Sequence, residues 1–85
     1  MIQTLYCRDN LGRVQEWTIE VKGDSYRTIE GLIDGLKSTN PWRKAKPKNI
    51  GKSNETTPDV QAILEAERKV QKKREEGYTD RLPLS

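Results

Sequence analysis

The chain has 85 residues, 32% of them hydrophobic, and contains neither Phe nor His. A chain this short buries only about 60% of its unfolded surface, so one modest core fits and a core plus a deep substrate pocket does not. The formal charge is +3 but unevenly spread: residues 1–40 hold five basic and six acidic side chains, residues 41–85 eleven and seven.

A positive field concentrated in one half favours a polyanionic partner. The competing reading is a mixed-charge surface that keeps a small protein in solution. Cys7 stands alone and cannot form an internal disulfide, which fits a reducing compartment such as the cytoplasm. The absence of His removes the commonest metal ligand and the commonest general base. No metal, no cofactor and no catalytic residue is therefore expected. No apolar run approaches the about 20 residues that span a bilayer. Met1-Ile2-Gln3-Thr4 carries neither the basic region nor the apolar stretch of a signal peptide. The expected chain is cytoplasmic, with no membrane partner.

In chain order, residues 3–8 read as a short strand. Asp9-Asn10-Leu11-Gly12 is turn chemistry, because Asx side chains cap the local backbone. Residues 13–22 alternate, with Trp17, Ile19 and Val21 on one side and Glu16, Glu20 and Lys22 on the other, the period of a half-buried strand. Gly23-Asp24 turns the chain, and Ser25 to Ile33 gives a third strand. Short connections make an antiparallel meander the simplest arrangement. Asp34-Gly35 ends that strand, and Ser38 to Pro41 read as loop. Trp42 to Lys46 is placed as an edge strand that Pro47 terminates. Lys48 to Thr56 is polar and irregular.

Thr57 as N-cap, Pro58 at the first helical position and Asp59 in the first turn open a helix over 57–76. Val60, Ile63, Leu64 and Val70 are assigned to its packed face, with Ala62 and Ala66 beside them. Lys69, Lys72, Lys73 and Arg74 crowd its last turns, and Gly77 takes the C′ position with Tyr78 packing back. The expected fold is α+β: a small antiparallel β-sheet of three to five strands with one C-terminal α-helix packed on it. Residues 1–78 form the single domain and residues 79–85 a flexible tail.

Three motifs are weighed for chemistry. Leu32-Ile33-Asp34-Gly35 has the outline of the Lys-x-Asp-Gly element of nucleotidyltransferases, but Leu32 stands where the nucleophilic Lys belongs, so it reads as a turn. Cys7 sits in a strand without a His partner and reads as a packing residue. The third is the acid-free run Trp42–Lys52, which holds Arg43, Lys44, Lys46, Lys48 and Lys52. Asn49, Ser53 and Asn54 add short polar donors. Phosphates are bound by cations, backbone N–H groups and such donors, and an aromatic ring stacks on a base for about 1–3 kcal/mol. The alternative is a solvated basic loop with Trp42 closing the core. The helix cations read mainly as a self-paired face, with Glu65–Lys69 and Arg68–Glu75 as partners.

Leu5-Tyr6-Cys7-Arg8-Asp9, Glu16-Trp17-Thr18-Ile19-Glu20, Tyr26-Arg27-Thr28, the stretch Lys46 to Pro58 and the helix end Lys72 to Tyr78 together resemble a known module. It is the short N-terminal domain of some bacteriophage ATP-dependent DNA ligases, also seen as free-standing small phage proteins. The likeness runs from Thr4 to Asp80, and the ligase catalytic core lies outside it. That module is similar to the WGR domain of poly(ADP-ribose) polymerases. The resemblance implies a WGR-like sheet with one helix across it, and nucleic-acid contact through a segment that falls here at Lys48-Asn49-Ile50-Gly51. The Trp of that segment is absent, so stacking by it does not carry over.

The expected function is a non-enzymatic, phage-type accessory protein. It binds nucleic acid, DNA more than RNA, through Trp42, Arg43, Lys44, Lys46, Lys48, Asn49, Lys52 and Asn54, largely without sequence preference. The alternative is a protein-interaction module docking on a host or phage enzyme. The sequence leaves the oligomeric state open.

Overall fold

Three long strands carry the architecture. In this computed structural model, which describes residues 1–45 and 57–81, they are β1 (Ile2–Arg8), β2 (Val14–Lys22) and β3 (Ser25–Leu32). They form the antiparallel meander read from the sequence, with Leu5 opposite Trp17 and Val21 opposite Tyr26. The β1–β2 turn is organised by Asp9. Its Oδ1 accepts the N–H groups of Leu11 and Arg13, both at 2.9 Å, while Arg13 Nε donates to Oδ2 at 2.9 Å. Partial desolvation would raise the Asp9 pKa, but these donors outweigh it and hold the carboxyl below its ordinary value. Gly35 N–H donates to Leu32 O at 3.0 Å, so Leu32–Gly35 is the expected turn.

Two short strands complete the sheet. β4 (Lys37–Thr39) and β5 (Arg43–Lys44) both pair with β3, at different points along it. β5 falls inside the expected edge strand but is only two residues long. β4 corrects the loop assigned to Ser38 and Thr39. Gly31 makes its pairing possible: a Cβ there would stand 2.6 Å from the Leu36 carbonyl oxygen and 2.9 Å from Lys37 Cα, so only glycine admits the approaching strand.

The helix α1 (Pro58–Glu75) starts as the sequence specifies. Thr57 Oγ1 accepts the Val60 N–H at 3.2 Å, and Pro58 occupies the first turn. It ends in a Schellman motif: Gly77 at φ 103° donates to Arg74 O, and Tyr78 N–H donates to Lys73 O, both at 3.0 Å. The chain then stays tied beyond residue 78. Thr79 and Tyr6 exchange both backbone hydrogen bonds at 2.8 Å, and Arg74 pairs with Asp80. The Arg74 guanidinium beside it holds the Asp80 carboxyl below its ordinary range.

The core lies between α1 and one face of the sheet. Leu5, Trp17, Ile19 and Tyr26 cluster there with Ala66, Val21, Val70 and Tyr78 pack at the margin, and Ala62 is buried one turn earlier on the helix. The packed helix face differs from the expected one. Val60, Ile63 and Leu64 are exposed by 46%, 39% and 37%, whereas both alanines are fully buried. The helix also buries Gln61, and the bulk of the apolar core comes from the sheet, which the helix approaches through its alanines.

Ala66→Leu is expected to overpack this contact and cost about 1–3 kcal/mol, whereas Val60→Ser changes stability by less than about 0.5 kcal/mol. Urea unfolding followed by circular dichroism distinguishes the two faces. Asp9 and Asp80 both have lowered native pKa values, so their contribution is complete above the ordinary carboxylate value and lost as pH falls through the lowered one. Thermal melts of an Asp9→Asn, Asp80→Asn double variant should therefore fall below wild type at neutral pH. They should converge with wild type in acid, once pH has fallen through the lowered native values of both carboxyls.

Candidate functional site

The basic run meets the sheet at β5, and strand alternation divides it. Arg43 pairs with Tyr26 and Lys44 with Ser25. Tyr26 lies on the helix-facing side, so Arg43 projects there, and Lys44 projects to the opposite side. Ala45 N–H donates to Asp24 O at 2.8 Å and Ala45 is buried, which fixes the register of this short strand. Trp42 and Lys44 thus share one face, while Arg43 belongs to the other.

On the helix side Arg43 joins a cleft of about 230 Å³ lined also by Tyr26, Thr28, Asn40, Pro41 and Lys69, and by Arg27, whose guanidinium is engaged by Trp42 and Glu20. No acidic side chain lines it. Asn40 Nδ2 donates to Thr28 Oγ1 at 2.7 Å, which leaves the Thr28 hydroxyl proton directed elsewhere and available to a ligand. Lys69 Nζ stands 5.7 Å from the centre of the Tyr26 ring, within the range of a cation–π contact. Arg43 and Lys69 form no ion pair among the described residues. The cleft therefore brings together two cations, a hydroxyl and an amide, the donor set that binds a phosphate.

A second cleft of about 270 Å³ continues along β3, sharing Thr28 and Lys69 and adding Trp17, Glu30, Lys72, Lys73 and Glu76. Here the charges are mixed. Lys73 pairs with Glu76 at 3.6 Å, and its Nζ lies 5.8 Å from the Trp17 ring centre and 5.0 Å from that of Tyr78. These contacts replace the expected Glu65–Lys69 and Arg68–Glu75 pairing. Trp17 and Tyr26 retain only 3% and 9% exposure, so their rings form the floor and offer no face to a ligand.

The opposite sheet face holds Trp42. It is 42% exposed, which overturns the alternative that it closes the core. The Arg27 guanidinium carbon lies 4.5 Å from its ring centre, and Arg27 Nη2 reaches Glu20 Oε2 at 3.4 Å. Glu20 on β2, Arg27 on β3 and Trp42, the residue before β5, form one row of contacts. Lys22, Ser25 and Lys44 form the next row by the same register.

Of the expected site residues, Trp42, Arg43 and Lys44 are thus placed. Lys46, Lys48, Asn49, Lys52 and Asn54 lie outside the described residues, as does the WGR-like segment. Thr28, Asn40 and Lys69 were not in the expected site. A signal for Lys69 existed: it lies seven residues after Ala62, and Lys73 seven after Ala66, so both lysines follow the alanine stripe. Among the described residues no group of three His, Cys, Asp or Glu side chains gathers to hold a metal ion. No described helix is long and apolar enough to cross a membrane. Compared with protein-family models, with curated proteins and with solved structures, the chain matches none.

Proposed function

We propose that this chain is a non-enzymatic module that binds nucleic acid through the phosphate backbone, DNA more than RNA, with little sequence preference. One observation carries the reading: the acid-free cleft in which Arg43 and Lys69 converge with Thr28 and Asn40. Each of these groups is a donor, and a phosphodiester offers only acceptors to them. Contacts of this kind fix position on the backbone and carry no base information. Lys72 and Lys73 extend the cationic border along the helix. The excess of positive charge in residues 41–85 favours a polyanion as partner. The resemblance to phage ligase N-terminal modules and WGR domains supports the same reading, with Lys46, Lys48, Asn49, Lys52 and Asn54 as further contacts.

A second reading, docking on a host or phage protein, is favoured by the exposed helix face of Val60, Ile63 and Leu64. Such i, i+3, i+4 anchors suit a hydrophobic groove on a partner. Nuclease digestion during affinity capture separates the two. Nucleic acid as partner is lost with nuclease, whereas a docked protein survives it and is lost on Val60→Asp.

Fluorescence anisotropy of labelled duplex, nicked and single-stranded oligonucleotides tests the first reading. Binding should weaken steeply with salt. Each phosphate neutralised adds about 0.9 to the logarithmic salt slope on duplex and about 0.7 on single strands. The double variant Arg43→Ala, Lys69→Ala should lower that slope by about two such increments and weaken all sequences alike. Absence of binding to every one of these probes at low salt overturns the proposal.

A further inference from the structure

The basic run is split between the two faces of the sheet, and this split selects the form of nucleic acid. We infer that the ligand is a single strand that crosses the β5 edge, with its backbone in the Arg43–Lys69 cleft and one base stacked on Trp42. The inference rests on the phosphate-binding reading above and goes beyond it by assigning the strand form and a stacking residue.

Three observations carry it. First, Trp42 and Arg43 are neighbours in sequence and point to opposite faces. A sheet is only about 10 Å through, so a flexible chain passes from one face to the other over a two-residue edge strand. Duplex DNA is a stiff rod that stays nearly straight over about 150 bp, and it touches one face or the other. Second, Trp42 is the aromatic side chain at this edge with a ring open to solvent, at 42% exposure, while Trp17 and Tyr26 are sealed in the core. A stacking partner must bring a free π-face, and an unpaired base has one where a paired base inside a duplex does not. Third, the ring is held in place. Arg27 lies against it at 4.5 Å and is itself held by Glu20 at 3.4 Å. An indole already restricted on one side loses less freedom when a base covers the other. Lys44 and Lys22 stand on the same face in the adjoining row, where the phosphates flanking a stacked base would lie.

The same chemistry arises from single-stranded DNA and from an RNA loop or tail, so the test uses both. Affinities are measured for oligo(dT) and oligo(rU) of about 12 nucleotides, within the span one small domain covers, and for a duplex of matching length. Wild type should bind at least one single strand more tightly than the duplex, and the tighter strand names the source. Trp42→Ala should weaken single-strand binding by about 5- to 100-fold, the range for one stacked base, and leave duplex binding within about 2-fold. The fluorescence difference between wild type and Trp42→Phe isolates the Trp42 signal from that of Trp17, and it should be quenched by the single strand alone.

Lys44→Glu, on an exposed two-residue strand, provides a second variant should Trp42→Ala fail to fold. It must weaken the single strand more than the duplex. Equal binding of duplex and single strand overturns the inference. So does a Trp42→Ala variant that binds single strands as wild type does. If Arg43→Ala and Lys69→Ala still weaken binding in those cases, the cleft remains a phosphate site and only the stacking is wrong. Loss of binding to all probes from the outset fails the underlying reading instead.

Discussion

The contact between Trp17 and the alanine stripe of α1 sets the geometry of the whole molecule. Trp17, Tyr26, Leu5 and Ile19 supply nearly all the volume of the core from the sheet side, and Ala66 meets them from the helix, with Ala62 buried one turn earlier. Burying a side chain as large as Trp17 contributes several kcal/mol, since truncating a core Trp or Phe to Ala costs about 3–5 kcal/mol. A small domain has little else of that size to spend. The helix must therefore lie close, and Ala62 and Ala66 let it do so, with Gln61 buried beside them. Two consequences follow. The larger aliphatics Val60, Ile63 and Leu64 are turned outward. The next residues on the alanine stripe, Lys69 and Lys73, are drawn over the Tyr26 and Trp17 rings. Both lysines line the clefts, so the packing that closes the fold also delivers their cations.

The three long strands were legible because each repeats at period two and because short, chemically distinctive turns join them. Trp17, Ile19 and Val21 do point into the core side of the sheet, and Thr57, Pro58 and Gly77 do bound the helix. The helix face was not legible from hydrophobicity. A sum of side-chain hydrophobicity ranks a Val–Ile–Leu face above an Ala–Ala–Val face, yet steric fit against a bulky sheet reverses the order. β4 was hidden for a related reason. Lys37, Ser38 and Thr39 are all exposed and show no alternation, and their strand exists because β3 offers a pairing edge at Ile29–Gly31 with no Cβ in the way. The Thr79–Tyr6 bridge is likewise a property of the β1 edge, whose free backbone groups capture the chain as it leaves the Schellman turn.

The candidate site was legible as a composition and illegible as a shape. Clustered cations after Pro41 are plain in the sequence. That Trp42 and Arg43 face apart follows only once β5 is known to be extended and in register with Tyr26. That Arg43 meets Lys69 requires the helix to cross the sheet with its alanine stripe down. Asn40 and Thr28 join them because they sit across the β3–β4 pair, with Asn40 N–H on Thr28 O at 2.9 Å and the two side chains hydrogen-bonded. Each step is a long-range pairing, and no local window of sequence contains one.

The row Glu20–Arg27–Trp42 shows why magnitude matters in assigning a role. Its ion pair is partly exposed, with the two side chains at 30% and 24%, and such pairs contribute about 0–1 kcal/mol. An exposed cation–π contact adds about 0.5–1 kcal/mol. Together these are small beside the core Trp17, so the row does little to hold the fold. What it does bias is conformation: an exposed Trp samples several rotamers, and a guanidinium against the ring favours one of them by a few-fold, the equivalent of about 0.5–1 kcal/mol. Restricting a side chain that contributes little to stability has a consequence only where that side chain meets something else. The same logic separates Trp42 from Trp17. One indole is sealed in the core and needs no orientation beyond packing, whereas the other is exposed, oriented and flanked by Lys44.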